Sequence, residues 1–393
     1  MEPDAGFLER IQRVVRETAQ AICDEGQSSE AIDVEDLIHD AHAELFGLGP
    51  LDHLLDDEHV QEVRVTGHDR VTALRSGEPL YVDPPFSSEA AVARAMVRLC
   101  RRSPQPLVPG ESMVQRCLPG GILVSAVLPP TSLDGHVLLI RKPRQSELML
   151  EDLVRNGTVS RAMATFLGHC VASRANVMVV GPADTTGVLL GALAAAASAD
   201  DRMLTLQPVD EIFGLTASPP CLRLPDTGDR GARVVRAAGS VRPDRLIVSP
   251  FAGHVAAETM SLIGEGADGV VVGLLAPSLR AAMDRIVPDL MAARPGMTRD
   301  AATSWLSGSF AVAIEAAKLR DGRDRVLRIS EFCAVEGEQF IARDIFTFAP
   351  ERTAAGGSVE GVFSASGVVP RLAEELAARG IAIDSGLFKR ERG

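Results

Sequence analysis

The stretch from Asn176 to Ser198, NVMVVGPADTTGVLLGALAAAAS, decides how the chain is read. Val177 to Val180 form a short apolar run with β-branched residues. Gly181 and a few polar residues follow, and then an Ala/Leu run of high helix propensity, so the pattern predicts strand, short polar turn and helix. That is the scaffold of a phosphate-binding loop, which reads G-x-x-x-x-G-K-[ST]: small residues let backbone N–H groups converge on the phosphates, the Lys reaches the β- and γ-phosphates, and the hydroxyl holds Mg²⁺. Gly181 keeps the first place, whereas Thr186, Gly187 and Val188 stand where the second Gly, the Lys and the Ser/Thr belong. Among the intervening positions, Pro182 removes a backbone donor, Thr185 is uncharged, and Asp184 sets a carboxylate at the positive end of the helix, where it would either repel a polyphosphate or serve as N-cap. Two readings stay open on this segment alone: a disabled nucleotide loop, or the ordinary strand-turn-helix of a doubly wound fold.

The chain has 393 residues, 46% hydrophobic and 24% charged, long enough for two or three globular domains. No apolar run approaches the roughly 18 to 20 residues of a membrane span, and the acidic start MEPDAGFLERIQRVV lacks the apolar core of a signal peptide, so a cytoplasmic protein is expected. A formal charge of −13 and a pI near 5.2 argue against general nucleic-acid binding. The six cysteines form no C-x-x-C pair, which favours reduced thiols over disulfides or zinc. The only lysines are Lys142, Lys318 and Lys389, so no shift of the loop's register supplies its missing ammonium.

Residues 1–46 read as two amphipathic helices; His39 and His42 lie on one face of the second, as a solvated face more than a metal pair. From 47 to 143 the pattern changes to short alternating runs (VQEVRVTG, RVTALRSG, PLYVDPPF, ILVSAVLPP, HVLLIRK) around a capped helix, SSEAAVARAMVRLCRR, which is an α+β domain. Residues 144–160 form a helical linker. Over 161–349 the buried runs MLTLQP, LIVSP and GVVVGLL alternate with helix-compatible stretches, predicting an α/β domain with a parallel sheet and right-handed crossovers, ending in the strand-like RVLRISEF and QFIARDIFTF. In the final segment, 350–393, TAAGGSVEG reads as a turn before a last helix, RLAEELAARG.

Taken in order, these segments resemble the hexameric ATPases of the type II/IV secretion superfamily, nearest to the Tad/Flp pilus motors (the CpaF/TadA group). The likeness runs from about Gly47 to Phe388 and includes GPLDHLLDDEHVQEVRVTG, LPGG…LPPTSLDG…IRK, RPDRLIVSP, GADG, LRDGRDRVLRISEF…VEGEQFIARDIF and FSASGVVP…GIAI. It implies a PAS-like N-terminal domain, a RecA-like P-loop NTPase domain, a hexameric ring and, in the family, ATP and Mg²⁺ between the two domains. The chemistry motifs depart from the family where the scaffold does not. Gln207 and Pro208 replace the Glu-Asp of the acidic box. Ser249 and Pro250 replace the Gly-Glu that ends the Walker B strand, and the His box has Leu275 at its His and Pro277 at its Asn. In the N-terminal domain Cys117 and Leu123 hold two Arg places, leaving Arg141 and Lys142 as the phosphate-facing cations, expected to pair with carboxylates such as Asp184.

Loss of one charge-stabilising group from a phosphoryl-transfer site costs on the order of 10³ in rate, and here lysine, metal hydroxyl, base and His are missing together. Asp210, Glu211 or Glu258 could substitute as base only if something still held the phosphates. The expectation is therefore a member of the motor family with no catalytic residues and no bound ATP, Mg²⁺ or other metal. It would work as a structural or regulatory subunit of a ring, with itself or an active paralogue, beside the platform proteins of the inner membrane. A slow or unconventional ATPase is the alternative, and a small-molecule sensor a third reading.

Overall fold

A computed structural model describes residues 5–24, 33–142, 149–207, 221–224, 229–333, 342–354, 357–378 and 383–390. The chain divides into two compact units, Met1–Arg144 and Gln145–Gly393.

The first unit opens with α1 (Ala5–Asp24), α2 (Val34–Phe46) and α3 (Leu51–Asp56). Six strands follow: β1 (Val60–Thr66), β2 (Arg70–Arg75), β3 (Glu78–Tyr81), then, after α4 (Glu89–Arg101), β4 (Met113–Leu118), β5 (Ile122–Val127) and β6 (Val137–Arg141). They form one antiparallel sheet in the order β3-β2-β1-β6-β5-β4. Alternation explains it. In β1, Val63 and Val65 are buried while Arg64 between them is exposed, and α4, capped by Ser88, lays Val92, Ala95, Met96 and Leu99 into the same core. β4 was not foreseen from sequence, since MVQRCL carries a buried arginine. Arg116 is tolerated there because Glu111 receives it at 2.7 Å. On α2, His39 pairs with His53 of α3, Nε2 to Nε2 3.4 Å, rather than with His42.

The second unit runs α5 (Leu150–Arg155), α6 (Arg161–Ala172), β7 (Val177–Gly181), α7 (Ala183–Ala195), β8 (Met203–Gln207), β9 (Cys221–Arg223), α8 (Asp229–Ser240), β10 (Arg245–Val248), α9 (Gly253–Gly264), β11 (Val270–Leu275), α10 (Leu279–Ala293) and α11 (Arg299–Ser309). It closes with β12 (Val312–Lys318), β13 (Asp324–Phe332), β14 (Ala342–Thr353), β15 (Val359–Ala365), α12 (Arg371–Ala378) and a single turn, Ser385–Phe388. The sheet order is β15-β14-β13-β12-β7-β11-β10-β8-β9, parallel from β12 to β9 and antiparallel from β12 to β15. β7 is buried on both faces. Val177 and Val179 join a core with α6 and α7, whereas Met178 and Val180 join one with α8, α9, α10 and α11, which is why the strand reads as continuously apolar.

The fold is α/β as expected. VAIEAAK, three of whose seven residues are alanine, forms β12 in the slot between β7 and β13. The turn read in TAAGGSVEG ends at Ser358, and VEGVFSA pairs with β14 as an edge strand. The linker and the C-terminal segment also belong to this unit's core: Leu153 of α5 is buried there, and Phe166, Phe346 and Phe388 meet with ring centroids 5.6–5.8 Å apart.

The amino edge of the parallel strands is held by charge. Arg245 at the start of β10 donates to Asp201 at 2.6 Å, Arg174 reaches the same carboxylate at 2.8 Å, and Arg202 pairs with Asp244 at 2.7 Å. Burial opposes ionisation of Asp201, yet Arg245 and Arg174 hold its carboxyl below the ordinary value. The hydrogen bond from Arg202 holds Asp244 at about 2 against an ordinary 3.8. A carboxyl depressed by folding adds stability that is complete above its unfolded value and is lost as pH falls through the folded one. Stability should therefore drop between about pH 4 and pH 2, and in urea titrations across that range Asp244→Asn should show a shallower slope than the wild type.

Candidate functional site

β7 has its sequence-later neighbours β11 and β12 on either side, with α7 on one face of the sheet and α9 and α10 on the other. This is the topological switch point of the sheet, and in open α/β folds the crevice beyond the carboxyl ends of the strands there is where ligands bind. The positions singled out in the sequence converge on that edge. Leu275 ends β11 directly beside Gly181, and the amide of Ala276 donates to the Gly181 carbonyl. Ser249 follows β10, its amide bonded to Leu206, and Pro250 leads to Phe251, whose amide bonds to Gly273. Gln207 ends β8 and is buried. Pro208, Asp210 and Glu211 lie outside the described residues.

The loop itself differs from its sequence reading. No polar turn separates strand from helix: β7 ends at Gly181, Pro182 is the N-cap, and α7 starts at Ala183. Thr186 N already donates to the Pro182 carbonyl at 2.8 Å, so the residues that would wrap a phosphate are spent on the first helical turn. Asp184 is therefore not the N-cap. It sits exposed in the first turn, where a carboxylate suits the positive end of the helix dipole. Thr185, fully buried, donates through Oγ1 to Asp324 Oδ1 at 2.6 Å and ties the helix start to β13. Thr186, Gly187 and Val188 are also buried, and Thr186 Oγ1 lacks a partner among the described residues. Gly181 and Gly273 allow the close approach: a Cβ at Gly181 would lie 2.8 Å from the Ala316 carbonyl, and one at Gly273 would lie 3.0 Å from both Thr186 and Leu190.

Charge at this edge points the same way. Asp184 and Asp324 add carboxylates where a polyphosphate would need cations. Glu315, in register with Val180, is buried and accepts the Leu279 amide at 2.8 Å. Glu258 is not a free base, since Arg236 grips it with both nitrogens at 2.7 and 2.9 Å and holds its carboxyl below the ordinary value. The backbone at the helix start is taken up by the first helical turn, and carboxylates face it. One cation was missed by local reading: Lys318 ends β12 opposite Asp324, brought to this edge by a strand 130 or so positions from the loop. In the first unit, the Lys142 ammonium is taken up by the backbone carbonyls of Leu55 and, at 2.8 Å, of Asp57, while Arg141 ends β6.

No family model matches the chain. A protein of Mycobacterium tuberculosis (strain ATCC 25618 / H37Rv) named for conjugal transfer is 27% identical over 311 residues, covering 75% of this chain and 87% of that protein. The conjugal transfer protein TrbB of Sinorhizobium fredii is 26% identical over 242 residues, covering 59% and 72%. Among solved structures, the Legionella pneumophila ATPase DotB aligns over 73% of this chain and 80% of its own with a TM-score of 0.49 and 15% identity. Among the described residues no helix is long and apolar enough to cross a membrane, and no group of His, Cys, Asp and Glu could hold a metal ion.

Proposed function

We propose that this chain is a non-hydrolysing member of the secretion, pilus and conjugation motor family, nearest the Tad/Flp group, and that it serves as a structural or regulatory ring subunit. It works on the cytoplasmic side of the inner membrane, beside an active paralogue and the platform proteins that the paralogue drives. The observation that carries this reading is the start of α7, where Pro182 and Ala183 turn the chain straight into helix and Thr185 fastens it to Asp324. Neither ATP nor Mg²⁺ is part of its working state. The fold around the lost chemistry is intact: both cores are closed, and a chain freed of selection would shed them, because single core changes cost about 0.5–3 kcal/mol out of roughly 5–15.

Isothermal titration with ATP and Mg²⁺ at millimolar nucleotide should give no saturable heat, and a micromolar dissociation constant contradicts the proposal. Mixed with an active motor paralogue, the chain should co-assemble in native mass spectrometry and change the paralogue's turnover. A strictly monomeric chain without effect at micromolar concentration rules out the ring. The second reading, a slow unconventional ATPase, rests on Lys318. It predicts a residual turnover that Lys318→Ala abolishes.

A further inference from the structure

Away from the switch point, the first unit carries a cavity of about 220 Å³ between α2, α3 and the segment that leaves β3. Its walls are apolar: Pro50, Leu54, Val82, Pro84 and Pro85. Three carboxylates also line it. Glu44 is already engaged, accepting the Ser87 amide at 2.6 Å and the Ser87 hydroxyl. Asp40 and Asp83 have no hydrogen-bond or ion-pair partner among the described residues, and Asp83 is exposed. An apolar cleft lined by two uncommitted carboxylates is an unusual pairing, since carboxylates left beside apolar surface gain nothing from it. It suits a side chain that is apolar along its stem and cationic at its end.

We infer that this cleft docks a basic segment of a partner protein, with the stem of one Arg or Lys against the proline and aliphatic wall and its cationic head at Asp40 and Asp83. Charge selects the class of partner. The acidic lining repels phosphates, and with them nucleic acid and anionic lipid headgroups. A second copy of the chain brings another formal −13, so a basic partner is favoured over self-association. His53 lines the same cleft and is stacked on His39 with ring centroids 5.5 Å apart, which gives the docked residue a flat neighbour.

The test uses the full chain and labelled peptides carrying one Arg between two leucines, with Gln and Glu counterparts, read by fluorescence anisotropy. The Arg peptide should bind at least about tenfold more tightly than the Gln peptide, and less tightly as salt is raised. Asp40→Asn with Asp83→Asn should erase that preference, and Asp40→Lys with Asp83→Lys should reverse it toward the Glu peptide. Asp83 is exposed and Asp40 half-buried, neither bonded to another described residue, so both variants should leave the melting temperature of the chain unchanged. Equal binding of the Arg and Gln peptides overturns the inference, as does a preference that survives the Asn variant or an absence of saturation at about 1 mM peptide. Self-association of the wild type that the Asn variant loses would give the cleft to a second copy, and overturns it equally.

Discussion

Rebuilding the loop sequence, by Thr186→Gly, Gly187→Lys and Val188→Thr together, should destabilise the protein by roughly 4–7 kcal/mol and produce no hydrolysis above the wild-type background. All three positions lie inside α7 and are buried. An ammonium placed at Gly187 has no phosphate or carboxylate arranged to meet it, and taking it out of water costs several kcal/mol. A hydroxyl at Val188 adds about 1–3 more. Pro250 and Leu275, where the resemblance places a base and a His, supply neither, and Glu258 stays locked to Arg236. Urea unfolding gives the first quantity and phosphate release the second. A stable triple variant with steady turnover would show that the helix start can unwind into a cradle and that a relocated base is in reach.

Asp201→Ala should cost roughly 3–5 kcal/mol, more than any surface ion pair in the molecule. Both partners of the Arg245–Asp201 pair are nearly inaccessible, with side chains 7% and 8% exposed. Removing the carboxylate strands a guanidinium in the interior, whereas replacing both partners by apolar residues leaves no buried charge. The double variant Asp201→Leu/Arg245→Met should therefore be more stable than the single one, and a double-mutant cycle measured by urea unfolding checks the sign. A single variant within about 1 kcal/mol of wild type would mean that Arg174 or solvent rescues Arg245.

What the amino-acid sequence determined alone is whatever depends on near neighbours. The alternation of β1 and β2, the Ser88 cap of α4, the continuous apolar runs of β7 and β11, and the absence of any lysine between Lys142 and Lys318 are all local facts. They were legible because periodicity and residue chemistry act within one element. The tertiary structure decided what depends on partners far apart in the chain. VAIEAAK carries no strand alternation of its own, and β7 and β13 offer it a ladder on each side. The expected turn after Gly181 is absent, with Pro182 capping α7 directly, and Thr185 ties that helix start to Asp324, 139 positions away, which only the pairing of β12 and β13 sets against it. The same pairing carries Lys318 to the edge from which the loop lysine is missing. Asp40 and Asp83, unremarkable in the sequence, share one cleft because α2 and the end of β3 meet. Local pattern sets which element a segment can form and which chemistry it lacks; the packing of sheet and helices sets which side chains share a site.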